Sequence, residues 1–182
     1  MRELSLNVLD IAQNSVAAGA SLIEIALTEE PEKHSLAISI RDNGKGMTPQ
    51  QVAAVEDPFF TTRTTRKVGM GVPLFKLAAE QTGGSLVIQS EVGAGTDITA
   101  YFRTDHLDFT PVGDMASTMT ALITMNLHID FVYRRTYGEK SFTVDTRELK
   151  KILGEVPLNE PSIAQWITQF INENTQEIFT EV

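Results

Sequence analysis

The chain has 182 residues, a formal net charge of -9, 42% hydrophobic and 21% charged residues, and no cysteine. That length holds one domain, or one with a small appendage, at the composition of an ordinary soluble globular protein. The acidic balance excludes a general nucleic-acid binder, the missing cysteines exclude disulfides and thiolate chemistry, and no apolar run approaches the roughly 20 residues that span a bilayer. No apolar signal core follows Arg2 and Glu3, so a cytoplasmic location is expected. The charge is uneven: residues 1–104 carry 12 acidic and 9 basic side chains, residues 105–182 carry 12 and 6. Between Asp57 and Glu80 there is no acid, while Arg63, Arg66, Lys67 and Lys76 lie there. This segment is either a solvated loop or one that meets phosphates.

In chain order, residues 3–18 read as a helix, with Leu6, Leu9, Gln13 and Val16 at helical spacing and Gly19 as its stop. Leu22 to Thr28 and Ser35 to Arg41 alternate as strands around a turn containing Pro31. Asp42 to Met47 is a glycine-rich loop, and Thr48-Pro49 opens a short helix with threonine as N-cap. Pro73 to Gln81 reads as a helix ended by Gly83-Gly84. Ser85 to Ser90 and Thr96 to Arg103 are strands, with Leu86, Ile88, Ile98, Ala100 and Phe102 on one side. Thr104 to Gly113 is the expected boundary between a domain at 1–104 and a module at 105–182. That module reads as a helix (Asp114 to Asn126), a hairpin turning at Gly138, a helix (Thr146 to Leu153) and a last helix over 163–174. Ile163, Trp166, Ile167 and Phe170 form its expected apolar face. The pattern predicts an α+β fold, a mixed sheet with helices on one face.

Four stretches carry chemistry. Asp42-Asn-Gly-Lys-Gly46 puts a carboxylate at a strand end, able to accept from the amino group of adenine; alone it is equally an Asx turn. Val68-Gly-Met-Gly71 leads into a helix whose free amides suit phosphate, or is simply a flexible turn. Asp10 and Asn14 lie one helical turn apart and offer hard oxygen donors for Mg²⁺, or form only the polar face of a helix. Gly93-Ala-Gly-Thr96 closes the set.

Taken together these stretches resemble the GHKL superfamily of histidine-kinase catalytic domains, MutL-type mismatch-repair ATPases, type II topoisomerases and heat-shock chaperones. Asn14 to Ala20 resembles the asparagine box, Asp42 to Gly46 the first glycine box, Asp57 to Thr62 the phenylalanine box of histidine kinases, Gly69 to Leu74 the second glycine box, and Gly93 to Thr96 the last. The resemblance covers about residues 3–103. It implies the Bergerat α/β sandwich, with ATP and Mg²⁺ as ligands. Asp42 would bind adenine, assisted by Thr96 through water, and Asn14 would ligate Mg²⁺. Gly69 and Gly71 would approach the phosphates, and Gly44, Gly46, Met47, Met70 and Val72 would complete the nucleotide site. Phe60 to Val68 would form a lid bearing Arg63, Arg66 and Lys67. Where the MutL type has a glutamate that activates water, this chain has Asp10, the candidate catalytic residue.

No histidine sits in an acceptor context: His34 is near a turn, His106 at the boundary and His128 before a strand. A complete histidine kinase is therefore not expected in this chain. The expectation is an ATP-dependent regulatory protein kinase or switch acting on a protein partner. The alternatives are a slow ATPase that dimerises on ATP binding, or a nucleotide sensor without turnover.

Overall fold

The computed structural model describes residues 3–58 and 70–180. Helix α1 (Leu4–Ala17) is followed by strands β1 (Leu22–Glu30) and β2 (Ser35–Asp42), then by helices α2 (Pro49–Glu56) and α3 (Gly71–Glu80). Strands β3 (Ser85–Glu91) and β4 (Gly95–Arg103) lead to α4 (Met115–Met125). Strands β5 (Asp130–Tyr137) and β6 (Lys140–Asp145) precede α5 (Thr146–Leu153) and α6 (Pro161–Phe179). Local chemistry accounts for several boundaries. Thr48 accepts from Gln51 N and Gln51 returns the bond, a capping box at the start of α2. Asp114 and Asp145 cap α4 and α5 by accepting from Ser117 N and Arg147 N.

All six strands form one sheet in the order β3-β4-β2-β1-β5-β6. Every neighbouring pair is antiparallel except β1 and β5, which run parallel with Ile25 opposite Tyr133, so the sheet is mixed as expected. The alternation places Ile23, Ile25, Leu27, Leu36, Ile38, Ile40, Ala100 and Phe131 on one buried face, all at most 1% exposed. Helices α1, α3, α4 and α6 cover that face. The other face carries exposed groups such as Val87, Tyr101, Arg41 and Arg134. The architecture is an α/β sandwich of the Bergerat type. No helix among the described residues is long and apolar enough to cross a membrane.

Two helix faces differ from the expected ones. On α1 the buried stripe is Leu4, Val8, Ile11, Ala12 and Ser15, whereas Leu6 is 38% exposed and Gln13 is open to solvent. Both stripes have helical spacing; docking against the sheet chose the one bearing Val8 and Ile11. On α6, Ile167, Ile171 and Ile178 are buried, while Trp166 is 47% exposed and stacks on Phe170 with ring centroids 5.0 Å apart. The helix also runs five residues beyond Asn174, to Phe179.

The division expected near residues 104–113 coincides with no break in the sheet or the core. Leu4 N and Ser5 N donate to Pro111 O and Val112 O at 2.9 and 2.8 Å, so this segment ties the start of α1 to the start of α4. The hairpin β5-β6 adds to the β1 edge, and a single apolar cluster contains Ile25, Leu122, Phe131 and Ile167. Ending the chain at residue 112 would bare the β1 edge and one side of α1. Such a truncation is expected to lose cooperative unfolding, and Phe131→Ala in the full chain to cost about 3–5 kcal/mol, as for other fully buried aromatic rings. Urea titration followed by circular dichroism measures both. A cooperative transition retained by residues 1–112 would show that the hairpin unit is independent of the first domain.

Candidate functional site

The site lies where β2 ends and β4 begins, against the last turn of α1. Asp42 closes β2 on the covered face and is 8% exposed. Its Oδ2 accepts from Ser15 Oγ at 2.6 Å and its Oδ1 from Gly44 N at 2.9 Å. A buried carboxylate needs such donors, and each oxygen keeps a second lone pair for a ligand. Thr96 is the register partner of Asp42 across β2 and β4. Its hydroxyl lies 2.8 Å from Ser90 Oγ, which also donates to Gly95 O and accepts from Met47 N. Two β-strands and the glycine loop are thus joined through one serine hydroxyl.

Backbone packs tightly against backbone at Gly95. Its φ is +114°, and a Cβ there would stand 2.0 Å from the Asp42 carbonyl oxygen. Only glycine permits both the conformation and the contact. Gly44 and Gly46 are buried in the loop, which Lys45 N fastens to the end of α1 by donating to Ala18 O at 3.0 Å.

The second part of the site lies one turn back along α1. Asp10 and Asn14 face the first residue of α3, where a Cβ on Gly71 would lie 3.4 Å from Asp10 Cβ and 3.8 Å from Asn14 Nδ2. The start of a helix, with its unpaired amides, is therefore set beside a carboxylate and a carboxamide. Asp10 reaches solvent, but partial burial holds its carboxyl above the ordinary aspartate value. Among the described residues no three His, Cys, Asp or Glu side chains gather as a metal cluster.

Of the residues expected at the site, Asp42, Gly44, Gly46, Met47 and Thr96 come together at the strand ends, and Asp10, Asn14 and Gly71 at the α1–α3 contact. Met70 is 40% exposed just before α3, whereas Val72 is 1% exposed with its side chain in the core. Phe60, Arg63, Arg66, Lys67 and Gly69 lie outside the described residues. Two residues were not expected. Ser15 is 3% exposed and anchors Asp42, and Ser90 links three loop and strand groups. The signal for Ser15 was a polar residue continuing the stripe of Leu4, Val8 and Ile11, visible only once that stripe is recognised as the buried one.

Comparison with known proteins identifies the family and the fold. Residues 1–106 match the family model of the histidine kinase-, DNA gyrase B- and HSP90-like ATPases. Sensor protein SrrB of Staphylococcus aureus, in strains NCTC 8325 and COL alike, is 34% identical over 101 residues, which span 53% of this chain and 17% of SrrB. The N-terminal domain of a DNA repair protein shares the fold with a TM-score of 0.54 at 15% identity, over 79% of this chain and 52% of that one. This chain thus corresponds to a small part of SrrB and about half of the repair-protein domain. The 79% coverage exceeds the share of the chain in residues 1–106, so the likeness of fold reaches into the C-terminal segment. With the family model covering more than half of its length, the chain belongs to the histidine kinase-, DNA gyrase B- and HSP90-like ATPase family.

Proposed function

We propose that this protein binds Mg-ATP between α1, the ends of β2 and β4, and the start of α3, and that it serves as a regulatory protein kinase or ATP-dependent switch for a partner protein. The observation that carries the reading is Asp42, a buried carboxylate held by Ser15 and Gly44 with Thr96 at its side. In this reading Asp42 accepts from the exocyclic amine of adenine, Thr96 assists, and Gly44, Gly46 and Met47 line the base. Asn14 holds Mg²⁺, and Gly71 and its neighbours meet the phosphates. Donor chemistry supports the metal: an amide oxygen with a nearby carboxylate suits a hard cation that takes one or two protein ligands and completes its sphere with phosphate and water. Mg²⁺ would supply charge neutralisation on the phosphates. Kinship with a sensor protein supports the signalling part of the reading.

A second reading, a slow ATPase that dimerises on ATP, is favoured by Asp10. It stands one turn before Asn14, against the start of α3, with a raised pKa suited to taking a proton from water.

If Asp42 reads adenine, ATP binds and GTP does not, because the O6 acceptor of guanine would face the carboxylate. A charge-assisted hydrogen bond is worth about 1.5–3 kcal/mol, so Asp42→Ala should weaken ATP binding by about tenfold or more. Calorimetry giving ATP and GTP equal affinity would exclude this recognition.

Incubation with γ-labelled ATP and proteins that co-purify separates the two activities. Label transferred to a protein supports the kinase; free phosphate together with ATP-linked dimerisation supports the ATPase. Binding with neither leaves a sensor and refutes both.

The raised pKa of Asp10 has a sign that can be tested. The folded state keeps the proton to a higher pH than the unfolded state. Stability therefore falls as pH rises from the unfolded value, 3.8, through the folded one. Asp10→Asn removes that slope and should gain stability relative to the parent as pH rises across this window. A difference independent of pH in urea titrations would show that Asp10 titrates normally.

A further inference from the structure

The covered face of the sheet carries a second buried charge at the end opposite Asp42. Arg135 occupies a core-facing position of β5, between Leu27 of β1 and Phe142 of β6, and is 5% exposed. Its Nε has no hydrogen-bond partner, and the neutral, buried hydroxyl of Tyr133 two residues earlier feels its charge. Among the described residues no carboxylate comes within ion-pair distance of the guanidinium. Glu29 faces it only at longer range: burial raises its pKa, and the Arg135 charge opposes that rise without cancelling it. A guanidinium is always charged, and a buried charge without a close counter-ion is costly.

What covers Arg135 is an aromatic ring. Phe179, the last residue of α6, lies with its ring centroid 5.1 Å from the guanidinium carbon and is itself 40% exposed. The same ring, with Tyr137, lines an open cleft between the 30–33 turn, the β5-β6 turn and the end of α6. The rim of the cleft carries the carboxylates of Glu30, Glu32 and Glu139 and the ammonium groups of Lys33 and Lys140. Both ammonium groups are engaged, Lys33 with Glu30 at 2.9 Å and Lys140 with the Thr180 carbonyl at 2.7 Å. Three carboxylates against two ammonium groups leave the rim net negative, and the positive Arg135 lies behind the Phe179 ring. A phosphate dianion would meet the rim unfavourably. A molecule with a carboxylate at one end and an ammonium a few atoms away matches both.

We propose that this cleft is a ligand site separate from the nucleotide pocket, built for a small molecule bearing both a carboxylate and an ammonium group, as a free α-amino acid does. Arg135 takes the carboxylate when the Phe179 ring turns aside, the acidic rim takes the ammonium, and the Tyr137 ring flanks the ligand. The proposal does not depend on the nucleotide reading.

The test uses the full chain and measures the thermal midpoint and calorimetric binding. The probes are an equimolar mixture of the twenty amino acids, its members singly, acetate, methylammonium and inorganic phosphate. At least one amino acid is expected to raise the midpoint saturably. Acetate and methylammonium should bind about tenfold or more weakly, since each lacks one of the two charged contacts. Arg135→Met should abolish the response, Arg135→Lys should weaken it, and Phe179→Ala, which removes the cover, should bind at least as tightly as the parent. If Arg135→Met fails to fold, Arg135→Lys and Phe179→Ala carry the test. No saturable response to any amino acid overturns the proposal. So does an equal response to acetate or phosphate, or an amino-acid response unchanged by substitution of Arg135. ATP affinity is measured on the same samples and is expected to be the same in every variant.

Discussion

The hydrogen bond from Ser15 to the buried carboxylate of Asp42 is the contact on which the site depends. Removing a carboxylate from water is costly unless donors replace the lost hydration. One replacement comes from the glycine loop, at Gly44 N, and the other from a helix in the opposite layer. The bond therefore ties the orientation of Asp42 to the face of α1 that Val8 and Ile11 dock on the sheet. Since Asp10 and Asn14 lie on the same helix, that docking also sets what faces the start of α3. Asn14 and Asp42, 28 residues apart in sequence, are thereby linked through the neighbouring Ser15 hydroxyl.

The sheet extends the same logic to the C-terminal segment. Strand β1 lies between β2 and β5, buried on its helix side and hydrogen-bonded along both edges. Ending the chain after β4 would leave the β1 edge open and α1 without the α4 side of its packing. The C-terminal segment thus completes the layer that positions Ser15, Asn14 and Asp10. Its helices are part of the frame of the candidate site.

Much of this was legible in the sequence, for identifiable reasons. Period-two alternation found β1, β2, β3 and β4 nearly to their ends, and proline and threonine chemistry placed α2. The motif set brought Asp42, Thr96, Asn14 and Asp10 to one region. Helix faces were less legible. On α1 two stripes share helical spacing, and the choice between them rests on what the helix packs against, which is a tertiary fact. On α6 the aromatic residues drew the eye, yet β-branched Ile167, Ile171 and Ile178 were buried, because large rings can rest half-exposed at a sheet edge while isoleucines fill it. The parallel pairing of β5 with β1 joins strands about a hundred residues apart, and nothing local marks it. That is why a proline- and glycine-bearing stretch near 104–113 read as a boundary.

Charge on the covered face follows one rule at both ends. Along the middle of the strands that face is wholly apolar, from Ile25 and Ile38 across to Ala100. Charges appear only where strands run out, at Asp42 on one end and at Arg135 with Glu29 on the other. A charge at such an end stays close to water and to loop amides, so its burial costs less than it would in mid-sheet, and it can exchange solvent for a ligand. Asp42 has donors that fix it in place, whereas Arg135 has an aromatic cover and no donor-acceptor partner at Nε. A group already fixed needs only a ligand that matches its remaining lone pairs. A group merely covered gains its first strong partner when something displaces the cover, and for that reason the two ends of the same face are unequal as binding sites.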